Sequence, residues 1–175
     1  MAIAYIGLGS NLADPAQQIQ NAVYALSKIE QTEIASVSSL YFSRPMGPQD
    51  QPDYMNAVTA LDTELAPLAL LDALQAIEND AGRIRKDNRW GPRILDLDIL
   101  LFDNLVIDNE RLTVPHYGMK EREFVLLPLA EVAPKLTLPD GECVAVLSEN
   151  IATNGLKVYG SLRTKESVTT VETVS

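Results

Sequence analysis

The sequence predicts a mixed α/β domain of the α+β kind, built on a β-α-β-β-α-β core, the ferredoxin-like order. Three observations carry this. Apolar, β-prone runs fall at 3–8, 33–42, 54–63 and 95–102. Two segments between them repeat apolar residues at helical spacing, and each opens on a proline. Their order along the chain is strand, helix, strand, strand, helix, strand.

IAYIGL (3–8) is a buried strand that stops at Gly9, Ser10 and Asn11. Asp14 followed by Pro15 supplies an N-cap and a first helical residue. Ile19, Ala22, Val23, Leu26 and Ile29 then share one face of a helix about four turns long. EIASVSSLYF (33–42) reads as the second strand, and SRPMGPQDQPD (43–53), with three prolines, as a long loop. YMNAVTALDT (54–63) is the third strand. Pro67 opens a second helix bearing Leu70, Leu71, Leu74 and Ile77, which Gly82 ends. LDLDILLF (95–102) completes the core, and Asp103-Asn104 reads as a turn into LVI (105–107), giving a hairpin. REFVLLPLAEVAP (122–134) has the pattern of a third helix in spite of Pro128. Residues 1–160 read as one domain and 161–175 as a loose tail rich in Ser and Thr, although VTTVETV (168–174) has the pattern of an edge strand.

At 175 residues and 46% apolar, the chain has enough material for one domain with a substantial core. A net charge of −10 argues against binding nucleic acid or an anionic membrane. Yet Arg83, Arg85, Lys86, Arg89 and Arg93 fall within eleven residues and make up five of only fourteen basic residues, a local cluster suited to a small anionic ligand. Cys143 is the only cysteine, so neither an internal disulfide nor a cysteine metal site is expected. No lysine or arginine precedes Lys28 and no apolar run nears about 20 residues, so neither a secretory signal nor a membrane span is expected. A cytoplasmic enzyme is the default class.

The chemistry concentrates in RWGPRILDLDILLF (89–102). Strand alternation points Leu95, Leu97, Ile99 and Leu101 one way and Asp96, Asp98, Leu100 and Phe102 the other. Residues two apart on a strand stand roughly 6.6 Å apart, so both carboxylates can converge on a shared metal or a metal pair. Bare carboxylates side by side raise each other's pKa, and Mg²⁺ removes that cost. A bare D-x-D on a strand edge is usually just solvated. Here cations stand upstream, and Arg83, Arg85, Lys86 and Arg93 beside two acids make a phosphate clamp. The competing reading pairs these cations with Asp96, Asp98 and Asp87. GRIRKDNRWGP (82–92) has glycine near both ends and no apolar period, which suits a lid, and Trp90 on it can shield a flat ring.

No G-x-x-x-x-G-K-[ST] occurs, which excludes a P-loop, and IGLGSN lacks the third glycine of a dinucleotide fingerprint. Gly9 either admits a ligand close to the backbone or turns the chain. His116, the only histidine, has no metal-ligand neighbour at useful spacing, and among Arg111, Thr113, Tyr117, Lys120 and Arg122 it suits a phosphate contact. Tyr54 and Asn56 share a strand face, and an aromatic ring with an amide suits a planar heterocycle as well as plain core packing. Gln75 and Glu78 read as a solvated helix face.

Taken in order, IGLGSNL (6–12), GPQDQPDYMNA (47–57), RWGPRILDLDILLF (89–102) and LTVPHYGMKEREFVL (112–126) resemble the 6-hydroxymethyl-7,8-dihydropterin pyrophosphokinases of folate biosynthesis, over about residues 3 to 150. The resemblance implies a three-layer α/β/α domain. Its expected activity is transfer of pyrophosphate from ATP to the hydroxymethyl group of the pterin, releasing AMP, with two Mg²⁺ and a monomeric protein. It implies that Asp96 and Asp98 hold the metals and that Arg83 and Arg93 are catalytic on an arm shared with Arg85, Lys86 and Trp90. It assigns Gln75, Glu78, Ile99, Arg111, Thr113, His116, Tyr117 and Arg122 to ATP, with Arg85, Lys86, Trp90 and Arg93. It assigns Gly9, Ser43, Met46, Tyr54, Asn56, Trp90 and Phe124 to the pterin. Phe42, Ser43 and Arg44 depart from the family's usual Arg-Thr-Pro; Ser43 is expected to keep the same backbone contacts, and Arg44 in place of a proline is expected to change how that loop moves. A reading from another class is a ferredoxin-like regulatory module that binds a metabolite without turnover, but it leaves paired carboxylates beside a cationic arm unexplained.

Overall fold

The computed structural model describes residues 1–11, 14–43, 54–82 and 94–164. The strands are β1 (Ala2–Ser10), β2 (Thr32–Val37), β3 (Leu40–Ser43), β4 (Tyr54–Thr63), β5 (Asp96–Phe102), β6 (Ile107–Asp108), β7 (Thr113–Val114) and β8 (Lys157–Gly160). The helices are α1 (Pro15–Leu26), α2 (Pro67–Ala81), α3 (Glu123–Val132) and α4 (Val144–Asn150). One antiparallel sheet runs β5-β1-β4-β3-β8 with β2 also on β4, and β6 and β7 pair separately.

Helices cover both faces. Ala4, Ile6, Leu97 and Ile99 of the sheet meet Ile19, Val23 and Leu26 of α1 and Leu70 and Leu74 of α2. On the other side Val58, Leu100 and Leu101 meet Val125 and Leu129 of α3 and Val144 of α4. Each fully buried leucine contributes ~2 kcal/mol to this α/β/α sandwich. β4 is buried on both faces along most of its length, as a central strand between two helical layers must be.

Several expectations change at the ends of elements. α1 stops at Leu26, and Lys28 and Ile29 bond back to Ala25 and Leu26 as a tighter turn, so Ile29 reaches the core from outside the helix. Asp14 precedes Pro15 as expected, but its φ is 61° and its side chain makes no capping bond. Gly82 does end α2, at a φ of −87° open to any residue. The single strand expected at 33–42 is two, β2 and β3. At the break Glu131 of α3 accepts bonds from the Ser39 N–H (3.0 Å), the Ser39 hydroxyl (2.8 Å) and the Tyr41 hydroxyl (2.7 Å).

The hairpin into 105–107 does not form. Asp103, at φ 49°, is engaged by β1: its N–H donates to the Ile3 carbonyl at 2.7 Å and its Oδ1 accepts the Ile3 N–H at 2.7 Å. Leu105 and Val106 are exposed, and Ile107 pairs with Val114 instead. The face assignment of β5 changes at one point. Tyr5 faces Leu101 while Ile6 faces Ile99, so Leu100 is an extra residue in β5. Leu101 therefore turns toward α3 and Phe102 toward α1 and α2, opposite to strict alternation.

β8 extends the sheet beyond β3. After it, Leu162 packs against the core, and Gln20 and Arg163 exchange bonds of 2.8 and 2.9 Å. The strand pattern at 168–174 lies outside the described residues.

Candidate active site

The ends of β1, β3, β4 and β5 meet under α3 at a cavity of about 480 Å³. Asp96 and Asp98 both line it, as their shared strand face requires. Pairing sets them directly opposite Gly9 and Gly7. Neither glycine sends a side chain onto that face of β1, and the space beside Gly7 is taken by the Leu100 side chain, which also lines the cavity. On the other side of β1, Gly9 pairs with Asn56, and a Cβ at Gly9 would stand 3.1 Å from Asn56 Nδ2. Asn56 is 7% exposed, and its Oδ1 has no hydrogen-bond partner among the described residues. A buried acceptor left unpaired costs ~1–3 kcal/mol, a cost that a ligand N–H would remove.

The strand carrying the acids is an edge strand, and its outer main chain is held by side chains and loops. Glu78 Oε2 of α2 accepts the Leu97 N–H at 2.7 Å and the Leu100 carbonyl accepts the His116 N–H at 2.9 Å, while just ahead of the strand the Ser10 hydroxyl of β1 donates to the Ile94 carbonyl at 2.5 Å. Glu78 is thus a brace on β5 rather than part of a solvated face.

His116 stands over this edge. Its Nδ1 accepts the Gly118 N–H at 3.1 Å, which places the proton of the neutral ring on Nε2, 3.9 Å from Asp98 Oδ2. Burial pushes the imidazole pKa below its usual value; Asp98 pulls it up and Arg122 pushes it down, with a net lowering. The ring is therefore neutral at pH 7. Tyr117 stacks on it with ring centroids 4.7 Å apart. Arg122, just before α3, sets its guanidinium 5.8 Å from the Tyr117 ring centre and 5.9 Å from that of Phe124. It lies so close over Gly118 that a Cβ there would meet Arg122 Nε at 2.9 Å.

Of the expected site residues, Gly9, Ser43, Tyr54, Asn56, Asp96, Asp98, His116, Arg122 and Phe124 line the one cavity. Gln75 and Arg111 are brought together elsewhere: Arg111 Nη2 donates to Gln75 Oε1 at 3.1 Å and to Asp72 Oδ1 at 2.6 Å. Thr113 is exposed on β7 and Tyr117 is 81% exposed. The Ile99 side chain is buried in the core on the opposite face. Met46, Arg83, Arg85, Lys86, Trp90 and Arg93 lie outside the described residues. Of the cavity residues that were not anticipated, two carry polar side chains, Glu123 and Asn154. An acid opening a helix and an Asn-Gly turn pair are the signals that mark them.

Among the described residues no three His, Cys, Asp or Glu side chains gather as a metal cluster. Two carboxylates on one face of an open cavity fit Mg²⁺, which takes one or two protein carboxylates and completes its shell with phosphate and water. They do not fit a closed structural zinc site.

A ferredoxin-like sandwich that gathers a carboxylate pair, a histidine and a buried amide oxygen without a partner among the described residues around one cavity fits an enzyme of the phosphoryl-transfer class. The sequence profile of the 7,8-dihydro-6-hydroxymethylpterin-pyrophosphokinase (HPPK) family matches residues 5–134. The chain belongs to this family, whose enzymes transfer pyrophosphate from ATP to hydroxymethyldihydropterin in folate biosynthesis. It is 54% identical over 152 residues to the 2-amino-4-hydroxy-6-hydroxymethyldihydropteridine pyrophosphokinase of Haemophilus influenzae, covering 87% of this chain and 94% of that one. It is 61% identical over 137 residues to the Pseudomonas aeruginosa protein of the same name, covering 78% and 84%. Among solved structures, a Plasmodium falciparum HPPK-DHPS triple mutant with STZ-DHP superposes with a TM-score of 0.66 at 16% identity, over 85% of this chain and 43% of that one. At that identity the likeness speaks for the fold. Among the described residues no helix is long and apolar enough to cross a membrane.

Proposed function

We propose that the chain carries out the family's transfer at this cavity, with Asp96 and Asp98 holding two Mg²⁺ against the triphosphate of ATP and the pterin seated between Asn56, Tyr54 and Phe124. The observation that carries the reading is the placement of Asp96 and Asp98 opposite Gly9 and Gly7, on the cavity that also receives the unpaired Asn56 Oδ1. In this reading the acids bind metal and the amide reads the polar edge of the heterocycle. The aromatic rings of Tyr54 and Phe124 cover its faces, beside Gly9 and Ser43, with Met46 and Trp90 completing the pocket.

When bound, Mg²⁺ screens the triphosphate charge and favours ionisation of the attacking hydroxyl. The chain's own groups do the rest. His116 offers Nε2–H to a phosphate oxygen, and Arg122, spread over two rings, supplies positive charge at the same rim. Gln75, Arg111, Thr113 and Tyr117 extend the nucleotide side. Ile99, its side chain committed to the core, takes part through its main chain. Arg111 leaves Asp72 at small cost, since an exposed ion pair is worth ~0–1 kcal/mol. Glu78 holds β5 and thereby the direction of both acids. On the arm, Arg83 and Arg93, with Arg85 and Lys86, neutralise charge that develops on AMP and on the moving group. Positioning and electrostatics suffice, and no covalent enzyme intermediate is required. The reading extends to a monomer working in the cytoplasm, with neither nucleic acid nor membrane as partner.

The test is AMP release from ATP, Mg²⁺ and 6-hydroxymethyl-7,8-dihydropterin. AMP is expected only when all three are present, with full loss in EDTA and recovery on adding Mg²⁺. Tight pterin binding with no AMP at any Mg²⁺ concentration would favour a metabolite-binding module instead.

A further inference from the structure

Residues 153–156 form a tight turn closed by the Leu156 N–H on the Thr153 carbonyl at 2.9 Å. Its central residues, Asn154 and Gly155, have φ of 51° and 81°, the left-handed pair that Asn-Gly adopts at least cost. The turn leads into β8, at the opposite edge of the sheet from β5. Four strand spacings of about 4.8 Å put those edges roughly 19 Å apart. From this turn Asn154 Nδ2 donates to Glu123 Oε1 at 2.6 Å, and both residues line the cavity beside Phe124. The HPPK profile ends at residue 134, so the contact comes from a stretch of chain that profile leaves out.

Glu123 Oε2 also accepts the Phe124 N–H at 3.2 Å. A carboxylate has about four acceptor positions, so two such bonds leave capacity for a donor in the cavity. A carboxylate repels triphosphate oxygens and attracts ring N–H groups, which assigns this end of the cavity to the heterocycle.

We propose that Asn154 is a positioning residue for the heterocyclic substrate: it fixes the Glu123 carboxylate at the cavity rim beside Phe124, where Glu123 accepts a ring N–H. This rests on the assignment of the cavity to ATP and a pterin. Asn154 is exposed and Glu123 partly so, and a bond this accessible adds little to folding. Effects on substrate use are therefore separable from effects on stability.

The test uses the full chain and four proteins: wild type, Asn154→Gly, Glu123→Ala and the double variant. Glycine keeps the left-handed φ and removes only the amide. Asn154→Gly and Glu123→Ala are each expected to raise the pterin KM about 5- to 20-fold, the range of one charged hydrogen bond discounted for exposure. ATP KM, kcat and Tm should stay near wild type, and the double variant should be no worse than the worse single one, since the two residues act as a unit. An unchanged pterin KM in Asn154→Gly, multiplied effects in the double variant, or a joint fall of kcat and Tm would each overturn the proposal. Absence of AMP formation by the wild type would instead overturn the assignment on which it rests.

Discussion

His116 presents Nε2–H to Asp98 at 3.9 Å while its Nδ1 is tied to the Gly118 N–H at 3.1 Å. The gap is too long for a direct hydrogen bond. The proton is thus aimed beside the carboxylate without being committed to it, and a phosphate oxygen entering there meets a ready donor. His116→Ala should lower kcat/KM for ATP about 10- to 100-fold, the range for one hydrogen bond to a charged group. His116→Asn, which can still accept the Gly118 N–H, should lose nearly as much. Steady-state rates across ATP concentration check both, and wild-type values in either variant would remove the donor role.

Asp98 has a side chain 52% exposed, and its 3.9 Å approach to His116 is too long for a hydrogen bond, so removing it costs the fold little. Asp96→Ala and Asp98→Ala are expected to lose turnover by orders of magnitude, with Tm kept within a few degrees. Rates measured against Mg²⁺ concentration provide the check. Near-normal turnover at ordinary Mg²⁺ would end the metal assignment.

Gly118→Ala places a methyl group 2.9 Å from Arg122 Nε. Gly118 has a φ of −101°, so alanine meets no backbone strain, and a flexible arginine can swing aside. Stability should change by less than ~1 kcal/mol, while activity should fall as far as in Arg122→Ala. Denaturant melts and AMP release measured on the same samples check the pair. A normal rate in Gly118→Ala with a lowered one in Arg122→Ala would show that the position of Arg122 over this glycine does not matter.

Tyr41 gives a pH prediction. Burial first, then its bond to Glu131 and the charge of that acid, push its pKa above the usual 10.0. The unfolded chain therefore releases this proton at lower pH than the folded one, and stability falls as pH rises above ~10 toward the folded value. Tyr41→Phe should flatten that part of the loss. Thermal melts from pH 8 upward, compared between wild type and variant, check it; parallel curves would mean that the Tyr41–Glu131 contact contributes nothing.

The core elements were readable because their signals are local. Pro15 and Pro67 each open a helix at its first turn, and YMNAVTALDT occupies β4 over Tyr54–Thr63 as expected. The acid pair was readable for the same reason, since alternation alone turns Asp96 and Asp98 to one side. What escaped depends on distant partners. Glu131 divides β2 from β3 from a position some ninety residues later in the chain, and Ile3 takes the bonds that Asp103 would have needed for a hairpin. The short β8 exists because the edge of β3 receives it. Asn154 enters the cavity through a contact that no spacing in the sequence encodes.

The extra residue at Leu100 has a consequence for how the site tolerates change. In a regular strand a slip of one residue reverses every side chain along it. Here the irregularity stands between the acids and the apolar end of β5, so Leu101 and Phe102 choose their own sides. The bulge insulates the aim of Asp96 and Asp98 from length changes downstream. Insertions or deletions within 104–112 can be absorbed without rotating a carboxylate, whereas losing Leu100 itself would couple the two halves of the strand.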